Sequence, residues 1–186
     1  MIKAPWIWIV FAAAVVAQLA APGSMIYRSE KTLREGQAFK FKTAPVDPYD
    51  AFRGRYVALS FENAEAPEGP PGRQIGYDVE VYALLENGPD GFARFRAATL
   101  EPPDSGAYLK VRTTYSWKPN IVALRLPFDR FYMPEELAPK AETAYREHSR
   151  RGQQDAYAVV RVRDGVGVIE NVYVAGQPIS EFVRGK

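Results

Sequence analysis

The hydrophobic pattern of this chain has two regimes, a long unbroken apolar run and then short alternating segments. From Ala4 to Tyr27 it reads APWIWIVFAAAVVAQLAAPGSMIY, with no charged side chain and only Gln18 and Ser24 clearly polar. About 20 apolar residues cross a bilayer as a helix, so residues 4–27 predict a transmembrane anchor. Trp6 and Trp8 at one end and Tyr27 at the other suit interfacial aromatic positions. A cleaved signal peptide is the competing reading, with Lys3 as its basic start and APG at 21–23 as a small-x-small site. The length of the uncharged run and the thin basic start favour an anchor that stays on the protein. RSEKTLREG at 28–36 mixes charges at helical spacing and reads as a juxtamembrane helical linker ending at Gly36.

Beyond Gly36 the period falls to two, the mark of half-buried strands. AFKFKT (38–43) sets Phe39 and Phe41 against Lys40 and Lys42, and GRYVALSF (54–61) gathers Val57, Leu59 and Phe61 opposite Tyr56. NAEAPEGPPGRQIG (63–76) reads as loop. DVEVYALLE (78–86) and FARFRAATL (92–100) flank NGPDG as a hairpin. AYLKVRTTYSW (107–117) aligns Leu109, Val111, Thr113, Tyr115 and Trp117, and NIVALRLPF (120–128) follows as another strand. DAYAVVRVRDGVGVIENVYV (155–174) is a hairpin closed at Asp164-Gly165.

One helix interrupts the strands. In PEELAPKAETAYREHSRRG, Pro134 suits the first helical position, with Glu135 and Glu136 at the positive end of the dipole. Arg150 and Arg151 then lie at the negative end, and Gly152 is the stop. Pro139 would be an interior defect, predicting a kink or restart. Residues 37–186 therefore read as one mainly antiparallel β domain of about eight strands, barrel-like or a sandwich, with one packed helix. The anchor places it on one side of a membrane.

Composition removes several chemistries. Cysteine is absent and His148 is the single histidine, so thiol catalysis, disulfides, thiolate metal sites and multi-histidine sites are excluded. No metal and no cofactor is expected. A net charge of +2 gives no global field calling for nucleic acid. His148 falls on the stripe Leu137, Ala141, Tyr145 and reads as a packing residue rather than a base.

Charge placement adds one candidate. Basic residues recur two apart, which puts them on one strand face: Lys40/Lys42, Arg53/Arg55, Arg94/Arg96, Lys110/Arg112 and Arg161/Arg163. On neighbouring strands they would form a cationic plate for an anionic ligand; the alternative is a solvated face balanced by cross-strand acids. PGSMIY at the end of the apolar run faintly resembles the serine-methionine stretch of signal peptidases, with Ser24 as nucleophile and Lys110 as its base. Ile26 and Tyr27 stand where those enzymes have a proline, and Ser24 reads more simply as a helix residue at the lipid boundary.

The stretch VDPYDAFRGRYVALSF (46–61) carries the most information. Pro45 and Pro48 stiffen its approach, Asp47 and Asp50 suit turns, and Gly54 permits a corner before the strand. With the anchor before it, this stretch resembles the GDYXXLXY-motif family of bacterial membrane-anchored proteins. Gly54, Tyr56 and Leu59 stand where that motif has them, while Arg55 replaces its aspartate and Phe61 its final tyrosine. RFYMPEELA (130–138) and VYVAGQPI (172–179) extend the likeness over most of the chain.

The resemblance implies an exported, single-pass, inner-membrane protein whose domain faces the periplasm or cell exterior and works beside polytopic membrane proteins. It implies no established chemistry. The expected role is an accessory or binding module, with a membrane-tethered hydrolase as the alternative. The motif is either a folding device or a binding edge built from Arg53, Arg55 and Tyr56.

Overall fold

The computed structural model describes residues 5–44, 56–62, 64–69, 74–150 and 154–185. Arg53, Gly54, Arg55 and the proline-rich approach to them lie outside the described residues, as do Arg151 and Gly152. Helix α1 (Pro5–Glu35) runs without a break from the apolar stretch through the charged segment. It is long and apolar enough to cross a membrane. Gly36 ends it, donating its N–H to the Thr32 carbonyl at 2.9 Å.

The strands follow as β1 (Gln37–Ala44), β2 (Tyr56–Ala58), β3 (Ser60–Phe61), β4 (Glu65–Pro67), β5 (Glu80–Asn87), β6 (Ala93–Thr99), β7 (Tyr108–Thr114), β8 (Ile121–Arg125) and β9 (Arg130–Tyr132). After helix α2 (Ala138–His148) come β10 (Tyr157–Arg163), β11 (Val166–Val174), β12 (Gln177–Pro178) and helix α3 (Ile179–Arg184). One five-stranded sheet has the order β12-β11-β10-β1-β3, the other β4-β8-β7-β5-β6, and β2 pairs with β9 as a ribbon. Every ladder is antiparallel, as the alternation predicts. The sheets do not close into a barrel. The edges of the second sheet approach through one parallel bridge between Glu68 and Ala98.

Alternation puts Phe39, Phe41, Val81, Ala83, Leu109, Val111, Val160 and Val162 into a shared core. Phe41 is its aromatic centre: the rings of Phe61, Phe95 and Phe128 lie 5.9, 6.0 and 5.6 Å from it. Asp164 (φ 50°) and Gly165 (φ 82°) turn the β10–β11 hairpin with two left-handed residues, the conformation such a two-residue loop requires. The Gly165 carbonyl then accepts the Lys110 N–H at 2.8 Å, joining the two sheets.

Three expectations change. The strand from Ala107 stops at Thr114, where its ladder with β8 ends, so Tyr115 and Trp117 leave the predicted face and stand 59% and 88% exposed. The segment expected as loop at 63–76 contains β4, an edge strand that tolerates Pro67 because its outer side needs no N–H. Helix α2 starts at Ala138, so Pro139 lies in its first turn, where no intrahelical N–H is needed. Pro134 instead closes the preceding turn, accepting from the N–H groups of Leu137 and Ala138 at 3.0 and 3.1 Å. Glu135 and Glu136 therefore precede the helix and lie outside its first turn. The chain also adds the short α3 beside α2. His148, buried between them, holds Asp155 at 2.7 Å through Nδ1 and meets the edge of Phe182.

Candidate functional site

The two halves of the motif point in different directions. Leu59 separates β2 from β3, its N–H donating to the Asp129 carbonyl at 2.8 Å. Val57 and Leu59 are buried, and Phe61 packs edge-on to Phe41 and Phe128. Tyr145 reaches this half from α2. Its hydroxyl contacts the Ala44 carbonyl at 3.1 Å and the Ser60 carbonyl at 3.4 Å, and accepts the Ser60 N–H at 3.3 Å. Both ends of the chain segment that carries the motif's approach are thus held by one buried hydroxyl. Burial pushes that hydroxyl above the ordinary tyrosine value of 10.0, against the lowering effect of its bonds to Ser60 and Thr43.

Tyr56, half-buried, lies on the other strand face. Tyr56 pairs in register with Tyr132, their ring centres 5.6 Å apart. The Arg130 guanidinium sits 5.1 Å from the centre of the Tyr56 ring, a cation–π distance. A hydrogen bond with Tyr132, then the nearby Asp129 carboxylate, raises the pKa of Arg130. The result is a Tyr-Arg-Tyr cluster, with Tyr132 67% exposed.

Beside this ribbon lies a groove of about 520 Å³ bounded by Ser29 of α1, the 127–132 segment and Gly167–Ile169. Gly167 lets β11 lie close against the core there: a β-carbon would fall 2.6 Å from the Phe128 ring and 2.8 Å from the Leu109 side chain. Ser29 is two residues past Tyr27, about 3 Å of helical rise, so the groove opens where α1 leaves its uncharged run. The last turns of α1 are fixed to the first sheet. Thr32 is 3% exposed, Glu35 pairs with Arg163 at 3.2 Å, and Arg161 donates to the Gly36 carbonyl at 3.2 Å.

The basic pairs do not make one plate. Lys40, Lys42, Arg161 and Arg163 belong to the first sheet, while Arg94, Arg96, Lys110 and Arg112 belong to the second; Arg53 and Arg55 are outside the described residues. Acids from neighbouring strands, turns and α1 engage six of these eight, and Lys40 instead lies 5.7 Å from the centre of the Tyr157 ring. Lys42 and Arg94 converge on Asp90 at 3.0 and 3.5 Å. Lys110 meets Glu80 at 2.8 Å, Arg112 meets Asp78 at 3.0 Å and Arg161 meets Glu170 at 2.7 Å. The Lys42 ammonium holds the Asp90 carboxyl below its ordinary range. Glu80 raises the pKa of Lys110, the opposite of what a lysine base needs. Ser24 donates to the Ala21 carbonyl of its own helix at 2.7 Å, so nothing joins it to Lys110 as nucleophile and base. Among the described residues no His/Asp/Glu cluster could hold a metal.

Sequence reasoning missed Arg130 and Tyr132. Arg130 and Tyr132 stand two apart in RFY and so share a strand face, but an Arg–Tyr pair carries no charge pattern that sets it apart in the sequence. The bridging role of the Tyr145 hydroxyl has no counterpart in the sequence pattern, which marks that residue only as apolar.

No curated protein and no solved structure matches the chain. A family model described as GDYXXLXY protein matches residues 18–172, a span that includes the motif, α2 and most of β11, and the chain belongs to the GDYXXLXY protein family.

Proposed function

We propose that this protein is a membrane-tethered, non-enzymatic accessory domain that works at the membrane surface against a polytopic membrane protein, with the β2–β9 ribbon and the adjoining groove as its contact surface. In this reading α1 remains uncleaved as a single-pass anchor in the inner membrane, and the β domain stands on the periplasmic or outer side. One observation carries the reading. The last turns of α1 are packed and ion-paired onto β10 and β11, so the domain is held at a set angle to its anchor and the ribbon stays beside the point where the uncharged run ends. The exposed cluster is of the type that dominates protein interfaces, since Tyr and Arg are enriched among the residues that carry binding energy. An anionic ligand is not part of the proposal, because six of the basic residues that suggested one are engaged by acids.

The test uses the full-length chain in its native membranes with a photo-crosslinking side chain at position 132, and a control chain carrying it at position 117. The protein is expected in the membrane fraction after alkaline extraction, with an adduct to an integral membrane protein from position 132 and none from 117. A soluble mature chain beginning near Ser24, or equal adducts from both positions, would overturn the reading.

A further inference from the structure

The apolar run of α1 is not uniform. Gln18 lies near its middle, and Pro22 lies four residues further along the same helix. Proline has no N–H, so the Gln18 carbonyl lacks its helical donor. One level of the span therefore carries a carbonyl without its i+4 donor together with a side-chain amide that offers two donors and an acceptor. Hydrocarbon satisfies neither. Ser24, the other polar residue, has solved the same problem locally by donating to the Ala21 carbonyl at 2.7 Å.

The direction of Gln18 matters as much as its depth. At 3.6 residues per turn, Ala14, Ala21, Met25, Ser29 and Thr32 all lie within about 60° of it. Ser29 lines the groove and Thr32 is buried under the first sheet. The face of α1 that points its polar group into the bilayer is thus the face that holds the domain above it. Ala14 and Ala21 flank Gln18 on this face, and small side chains let another helix backbone come close enough to bond. The opposite face carries Ile9, Val16, Ala20 and Tyr27 and no polar side chain within the run.

We infer that the Gln18 face of α1 seats a transmembrane helix of another membrane protein, which bonds the Gln18 amide and leaves the bilayer beneath the β2–β9 ribbon. The inference rests on the reading of the protein as a membrane-tethered module and names the surface of α1 that its partner uses. A second copy of this chain does not fit. A two-fold axis along the Gln18 face would bring both β domains, each lying over that same face, into one volume. The occupant must therefore be a helix whose extramembrane end is short, as the helices of a polytopic protein are when joined by tight turns.

The test places a photo-crosslinking side chain at position 21 on the Gln18 face, or at position 16 on the opposite face, of the full-length chain in native membranes. Wild-type and Gln18→Leu chains are compared for the protein that co-purifies in mild detergent, with Leu19→Ala as a control. The expected result is an adduct to another membrane protein from position 21 and not from 16. Recovery of that protein should fall about tenfold in Gln18→Leu, as loss of one interhelical hydrogen bond predicts, and be unchanged in Leu19→Ala. The melting of the β domain should not move, because residue 18 lies outside it. Adducts to lipid alone, an adduct of twice the chain mass, equal adducts from both faces, or undiminished recovery with Gln18→Leu would each overturn the inference. Should position 132 still label a membrane protein in any of those cases, the proposed function survives and the surface is wrong. Loss of both labels would end both readings.

Discussion

Tyr56 and Phe61 belong to one short motif, are both half-buried, and meet different neighbours on opposite strand faces. Phe61 sits among Phe41 and Phe128, while Tyr56 lies tilted against Tyr132 on a two-stranded ribbon under Arg130. Alternation puts Val57, Leu59 and Phe61 on one face and Tyr56 on the other, and at Leu59 the chain leaves β9 and joins β1. The motif therefore has two tasks. Its second half locks the strand into the core, and its first half presents aromatic rings beside the exit of α1. Each prediction below separates the two.

The largest effect should come from the core. Phe41→Ala removes the ring that touches Phe61, Phe95 and Phe128, and a deletion of this kind costs about 3–5 kcal/mol. Denaturant unfolding of the full chain in detergent, followed by circular dichroism, would read it. A loss under about 1 kcal/mol, the size of an ordinary surface change, would mean that the cluster is not the centre of the fold. Gly167→Ala tests the junction between core and groove. Its new methyl group would fall 2.6 Å from the Phe128 ring, so about 1–3 kcal/mol of overpacking strain is expected. Labelling from position 132 should also drop as Phe128 is pushed toward the groove.

Tyr145→Phe comes next, at about 1–2 kcal/mol, because backbone groups of Ala44 and Ser60 lose their shared partner. It also has a pH signature. Burial raises the pKa of this hydroxyl above 10.0 in the folded chain, while the unfolded chain ionises it near that ordinary value. Unfolding therefore releases a proton between the two values. The tyrosine's contribution is complete below about pH 10 and declines as pH rises from there through the folded-state value. Alkaline unfolding curves should show this slope in the wild type and lack it in Tyr145→Phe. Equal slopes would show that the hydroxyl is not held in the way its contacts indicate.

These residues also mark what the sequence could reveal. Phe39 and Phe41 against Lys40 and Lys42 disclose a strand because the side-chain period is local, and Asp164-Gly165 discloses a turn because its backbone demand is local. The sheet to which a strand belongs is not local. Spacing placed Lys110 and Arg112 on one face correctly, but could not supply Glu80 and Asp78, which arrive through pairing with another segment. Trp117 continued the alternation of its strand on paper, yet the ladder partner ran out at Thr114. Pro139 is ambiguous in the sequence because a proline is a defect or a good first-turn residue according to where the helix begins, and Pro134 and Pro139 both suit its start. The ribbon was hidden by shortness, since three residues from each strand barely define a period.

The smallest effect on stability is predicted for Tyr132→Ala, and it divides the two halves of the motif most sharply. Tyr132 is 67% exposed, and substitutions at such positions usually change stability by no more than about 0.5 kcal/mol. Its ring contributes instead to a preformed surface, held by the register with Tyr56 and by the hydrogen bond to Arg130. Removing it should leave the melting curve of the domain in place while recovery of the proposed membrane-protein partner collapses. Tyr132→Phe keeps the ring and loses the hydroxyl that steadies Arg130, so it should retain part of the partner. A melting curve displaced as far as that of Phe41→Ala would make the ribbon a part of the core. An unchanged curve with unchanged recovery would make it an ordinary solvated edge. Loss of partner on an intact fold is the one outcome that assigns the first half of the motif to recognition and the second half to folding.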